Sequence, residues 1–265
     1  MRCGQGSGFD VSREAMAVRR SSSRPGPRSL EGLEWLARVG ASPLEPWGLV
    51  MGWGRAVTYD HARRLAAAGL VRMVPMTRGD GSLVVVTAAG VARARYPASF
   101  VLRSVAPSSW AHASACAWVG AWLQRRGHEW WSEREIAQDA FWRRDVRYGD
   151  RRGTVHVTHR PDLGLQIAGR PAAIEVELAR KTRARLLGIL SMYAEHSDTD
   201  AAPLYGVLYV CDRDDVADAV QRAGSDAGLR AAALSFRTLD DVIEQTRAAR
   251  RSPDATAHRD VGTPR

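Results

Sequence analysis

Glu175-Val176-Glu177, followed at once by Lys181 and preceded by Pro161-Asp162, is the part of this chain whose residue types and spacing could do chemistry. Acids at i, i+2 project from one face of a strand. A hairpin turning at Ala168-Gly169-Arg170-Pro171 is expected to set Asp162 opposite Glu177, with Glu175 one pleat away on the same face. Directly opposed side chains lie about 5 Å apart and diagonal ones about 7 to 8 Å. Three carboxylates so close repel, and a divalent cation or a raised pKa relieves them. Oxygen ligands suit Mg²⁺, which beside a phosphodiester would stabilise charge at phosphorus and activate a water. Lys181, just past the strand, is placed to position or deprotonate that water. The competing reading is an ordinary surface hairpin, on which outward acids at this spacing are common. Lys181 is also the chain's one lysine among 38 basic residues, the rest being arginine.

Period-two alternation predicts the strands that carry these groups: Leu163, Leu165 and Ile167 against Asp162, Gly164 and Gln166, then Ile174, Val176 and Leu178 against Glu175 and Glu177. Upstream, residues 108–126 read as a long helix closed by Gly127. Residues 128–136 read as a loose strand carrying Glu129, Glu133 and Glu135, and 155–157 as a short strand. Downstream follow a basic amphipathic helix over 182–196, a buried strand over 204–211, a helix over 212–224, a strand over 231–236 and a helix over 239–250.

The first block is patterned differently. Leu30, Leu33, Leu36 and Ala37 make one face of a helix over 29–38, and Ser42-Pro43-Leu44-Glu45 reads as a capping box that opens a second. Thr58 is the expected N-cap of a third, with Ala62, Leu65 and Ala66 inward, Tyr59, Arg63 and Arg64 outward, and Gly69 at its C-terminal end. Valine-rich runs at 70–74 and 83–86 flank Thr77-Arg78-Gly79-Asp80-Gly81, a hairpin with an Asp-Gly turn, and Thr87 caps a short helix. Three helices followed by a hairpin is the winged helix-turn-helix plan. On it Tyr59, Arg63 and Arg64 lie on the recognition helix and Arg78 at the wing tip, facing double-stranded DNA. A winged helix that packs only on protein is the alternative.

Composition sets the outer bounds. With 265 residues, 45% hydrophobic, the chain can bury a substantial core in one large domain or two modest ones. The longest apolar run, 113–123, is about half a membrane span, and residues 1–28 lack the apolar core of a secretory signal, so a cytoplasmic protein without membrane contact is expected. The net charge is +9, but the basic excess lies mainly in the tails. Residues 1–28 carry six arginines against two acids and 246–265 five against two, whereas 98–245 carry nineteen basic groups against twenty acids. Both tails are expected to be disordered, and their charge offers nonspecific attraction to phosphate. The three cysteines show no CxxC spacing, so no zinc site or disulfide framework is expected, and Cys116 and Cys211 read as small apolar residues. His156 and His159 fall on opposite faces of a strand, against a metal pair. Neither a GxSxG motif nor a P-loop occurs, which argues against a serine hydrolase or an NTPase motor.

The order helix, strands, helix, strand, with acids on the middle hairpin, resembles the PD-(D/E)xK restriction-endonuclease-like core. Asp162 matches that motif's aspartate and Glu175 its second acid, and in active members both ligate metal. The chain departs at the lysine position, which is Glu177, leaving Lys181 as a displaced substitute and activity open. Winged helix and core together, with Arg160-Pro161-Asp162, Glu175-Val176-Glu177 and a helix ending near Tyr193, resemble the replication-relaxation family over about residues 29–240. The expected class is α/β (α+β), with a disordered basic tail at 1–28, a winged helix-turn-helix domain at 29–97, a nuclease-like domain at 98–245 and a second tail at 246–265. The resemblance implies a DNA-binding protein of a plasmid or integrative element, involved in replication or DNA relaxation, with a Mg²⁺-dependent nickase or endonuclease as one reading. The other readings are a non-catalytic DNA-binding regulator on a degenerate nuclease-like scaffold and a protein-binding adaptor.

Overall fold

The computed structural model describes residues 25–76, 81–102, 106–150, 153–197 and 202–249. Arg78, the Asp-Gly turn around it and most of both tails lie outside the described residues.

The chain enters with α1 (Pro27–Val39), whose proline occupies the first turn, where its missing N–H costs nothing. Leu33, Leu36 and Ala37 bury its inner face, and Gly40 closes it at φ +84°. Ser42 opens no helix: β1 (Ala41–Pro43) comes first, and the Ser42 hydroxyl donates to the Pro43 carbonyl. The capping box fails because residues 41–43 are taken by pairing with Leu83, Val84 and Val85. Helices α2 (Leu44–Met51) and α3 (Arg55–Ala67) follow. Thr58 is not the cap of α3 either. Gly54 is, and Thr58 lies buried in the first turn with its hydroxyl donating back to the Gly54 carbonyl, the alternative that threonine has within a helix. Strands β2 (Val71–Pro75) and β3 (Ser82–Val86) and the short α4 (Ala88–Arg93), capped by Thr87 as expected, complete this part. The sheet runs β1-β3-β2, all antiparallel.

Helix α5 (Trp110–Arg125) is apolar on nearly every side because two cores claim it. Ala117 and Ala121 pack with Leu33, Trp35, Leu36 and Trp47, while Ala115, Val119, Trp122 and Leu123 pack on Leu163, Ile174 and Val176. After β4 (Trp130–Trp131), the strand expected over 128–136 gives way to α6 (Glu133–Gln138). Ser132 and Glu135 form a reciprocal capping box there, and two satisfied orphan N–H groups outweigh a weak alternation. A hairpin of β5 (Arg144–Asp150) and β6 (Gly153–His159) precedes the central strands β7 (Leu163–Ile167) and β8 (Arg170–Glu177). Helix α7 (Arg183–Ser197), β9 (Val207–Cys211), α8 (Asp214–Asp226), β10 (Leu234–Thr238) and α9 (Leu239–Ala248) follow. The larger sheet has the order β10-β9-β8-β7-β4, parallel from β10 to β8 and antiparallel beyond. The protein is thus mixed α and β. No helix of the described residues is long and apolar enough to cross a membrane.

One register differs from expectation in a way that matters. The β7–β8 turn uses two residues, Ala168 at φ +48° and Gly169 at φ +77°, not four. Two left-handed residues match the twist of the flanking strands, so Arg170 and Pro171 join β8 and every pairing slips by two. Leu163 therefore faces Ile174, which brings Asp162 across from Glu175 instead of Glu177.

Candidate functional site

The site gathers where β8 leaves the sheet, flanked by β9 in parallel and β7 in antiparallel register. Asp162, just ahead of β7, is pinned twice: Oδ2 accepts from the Val176 amide at 2.8 Å, and Oδ1 meets His112 Nε2 of α5 at 3.1 Å. Because Asp162 holds the His112 proton by a hydrogen bond, that imidazole titrates above its ordinary value, although partial burial works against this.

Glu175 and Glu177 both point inward, at 3% and 6% exposure, so these are not the acids of an ordinary surface strand. Glu175 Oε1 is bonded by His159 Nε2 at 2.7 Å and by the hydroxyl of Tyr193, which is wholly buried in α7. Burial alone would lower His159, but the facing Glu175 outweighs it and the imidazole is raised. Burial pushes the Tyr193 phenol far up, and Glu175 adds to it, so Tyr193 stays a donor. Glu177 is paired with Lys181 four residues on. Desolvation raises the Glu177 carboxyl, and the Lys181 ammonium pulls in the opposite direction.

The structure therefore brings together all four expected residues, Asp162, Glu175, Glu177 and Lys181, and adds His112, Cys116, His159 and Tyr193. His156 and His159 part ways as their spacing on a strand predicts: His156 is exposed and His159 is hydrogen-bonded to Glu175. That partner lies across the fold, on β8. His112 and Cys116 carried a readable signal, since i and i+4 on one helix share a face. Cys116 packs against the core of Val119, Leu163 and Ile174 as expected, and its sulfur also lies 3.5 Å from His112 Nε2. Burial, with Asp162, Glu133 and Glu175 nearby, raises its thiol well above the usual range. Cys211 is packed in the core as expected, its thiol pushed up to about 12 by burial. Glu133 itself stands exposed at the first turn of α6.

The other expected surface lies on α3. Tyr59, Arg63 and Arg64 are all exposed on its outer face, and Arg64 is tied to Asp60 one turn back. The buried tryptophans Trp47, Trp118, Trp122 and Trp130 fill the core.

No family model matches the chain, and no curated protein matches it. Among solved structures it is similar to the crystal structure of protein VC1899 from Vibrio cholerae, at 12% identity and a TM-score of 0.34, over 84% of this chain and 55% of that one. The chain thus spans little more than half the length of that protein.

Proposed function

We propose that this protein binds double-stranded DNA through its first block and carries a Mg²⁺-dependent phosphodiester-cleaving site in its second. The observation that carries the reading is the meeting of Asp162 with two buried acids, Glu175 and Glu177, at one end of the sheet. Each acid has a basic partner, His112 for Asp162, His159 for Glu175 and Lys181 for Glu177. The two imidazoles, when neutral, leave the negative charge of Asp162 and Glu175 for a metal to join. Asp162 and Glu175 are the residues that would hold Mg²⁺, an oxygen-preferring ion. When bound, such an ion stabilises charge developing on a phosphodiester and lowers the pKa of a water. The chain's own groups prepare the site. Tyr193 and His159 fix one oxygen of Glu175, and the Val176 amide fixes one oxygen of Asp162. The ammonium of Lys181 reaches Glu177, the residue in the motif's usual lysine position, and so brings a cation beside the slot that the strand itself leaves acidic.

The order α1-β1-α2-α3-β2-β3 supports a winged helix, with α3 as the DNA-reading helix. Tyr59, Arg63 and Arg64 supply its contact face. The β7–β8 hairpin with α5, α7 and β9 supports a nuclease-like core, and a role in replication or relaxation of a plasmid or integrative element in the cytoplasm rests on the family resemblance. The second reading, a non-catalytic DNA-binding regulator, is favoured by one observation: the Glu177–Lys181 pair satisfies the lysine internally.

Supercoiled plasmid incubated with the protein and Mg²⁺ or Mn²⁺ tests the choice. Nicking by the wild type that is lost in Asp162→Asn and Glu175→Gln supports cleavage. Intact DNA with a retained gel shift supports the regulator. Absence of any shift at low salt refutes both.

A further inference from the structure

Three potential ligand atoms lie within 4.8 Å of one another at the mouth of this site: an imidazole nitrogen of His112, the sulfur of Cys116 and a carboxylate oxygen of Asp162. We propose that these three residues form a binding site for Zn²⁺, which differs from the Mg²⁺ site in its donor atoms and draws on the same Asp162 carboxylate. Zn²⁺ bonds nitrogen and oxygen at about 2.0 to 2.2 Å and sulfur at about 2.3 Å in tetrahedral array, so its ligands stand roughly 3.3 to 3.6 Å apart. The separations are 3.1 Å from His112 Nε2 to Asp162 Oδ1 and 3.5 Å from Cys116 Sγ to the same nitrogen. That is close to the required spacing before any ion enters.

The donor set selects the metal. Thiolate and imidazole favour Zn²⁺ and its borderline-soft neighbours over Mg²⁺. Placing two ligands at i and i+4 on the rigid helix α5 fixes their mutual geometry, and Asp162 is held from behind by the Val176 amide. Glu133 and Glu175 add negative potential at Cys116, which favours a cation there. His112 keeps 40% of its side chain exposed, so solvent reaches the cluster. Three protein ligands leave one position open, as in zinc sites that bind water or substrate. Binding releases the Cys116 proton, and His112 binds through Nε2 with its remaining ring proton on Nδ1.

Cobalt tests this directly, because Co²⁺ occupies zinc sites and a bound thiolate gives it a near-ultraviolet charge-transfer band. Full-length protein, stripped with chelator and kept reduced with a phosphine, is titrated with Co²⁺ and then Zn²⁺. One equivalent of Co²⁺ is expected to raise the band and one of Zn²⁺ to remove it. Cys116→Ser should abolish the band, His112→Gln should weaken binding on the order of 100-fold or more, and Cys211→Ser and Cys3→Ser should keep it. In the wild type, Zn²⁺ should also shield Cys116 from alkylation, a readout that requires no variant to fold. Absence of a thiolate band, a band that survives Cys116→Ser, or Cys116 alkylation unchanged by Zn²⁺ would each overturn the site. No nucleic acid enters the measurement, so its failure leaves the cleavage reading standing, and a failed nicking assay leaves the zinc site standing.

Discussion

Replacing Lys181 by methionine strips the only ammonium from Glu177 while keeping most of the side chain's length. Breaking a fully buried ion pair from one side costs about 3 to 5 kcal/mol, because the remaining charge is left without a partner. Here the glutamate side chain is 8% exposed but the lysine 22%. Some water therefore reaches the pair, and the expected loss falls to about 2 to 3 kcal/mol at pH 7. The double variant Glu177→Gln with Lys181→Met removes both charges and should recover most of that loss, giving a coupling energy of about 2 kcal/mol. The sign with pH is fixed by the Glu177 carboxyl, which burial already raises above its ordinary value. A raised acid takes up its proton earlier in the folded state than in the unfolded, so stability falls as pH rises between the two values. Losing Lys181 widens that window, so the Lys181→Met penalty should be largest at pH 7 to 8 and should shrink toward pH 5. Urea denaturation followed by far-ultraviolet circular dichroism at both pH values measures all four proteins. A loss below about 0.5 kcal/mol, an equal loss at both pH values, or additive single variants would refute the reasoning.

Gly164→Ala would push a methyl to 2.7 Å from the Trp142 ring, with Trp131 at 3.1 Å. The expected destabilisation is about 1 to 3 kcal/mol by thermal or urea melting. Tyr193→Phe removes a buried donor to Glu175 and should cost about 1.5 to 3 kcal/mol, as hydrogen bonds to charged groups do. His61, stacked on Trp53, is lowered by burial and by Arg64. Its neutral form belongs to the folded state, so stability should fall as pH drops below about 6.5, and His61→Phe should flatten that dependence in a pH series of melting curves. If α3 contacts DNA, Arg63→Ala should reduce the slope of log affinity against log salt by about 1, measured by fluorescence anisotropy at several salt concentrations.

The helices and most strands were legible because their signals are local. Leu33 with Leu36 and Ala37, Thr87 ahead of α4, and the alternation at 163–167 each place an element within a few residues. The acidic site was legible too, since Asp162, Glu175 and Glu177 sit on neighbouring strand segments whose face is set by period two. What escaped depends on competition between local signals or on distance. Ser42 and Thr58 look like caps, yet strand pairing and Gly54 displace them. The weak alternation over 128–136 lost to the capping box at Ser132. Hairpin register turned on Ala168 accepting a left-handed conformation, which composition does not favour. The bonds of Glu175 to His159 and Tyr193 span elements far apart in sequence, and no spacing rule reaches that far.

Helix α5 presents Ala117 and Ala121 to the first core and, near its start, His112 to Asp162. Its next turn carries Cys116, and its last turn holds Arg125, whose guanidinium donates to the Leu49 carbonyl at the end of α2. One rod is therefore held along its length by both cores, so the helix that sets His112 beside Asp162 is also a wall of the block that carries α3.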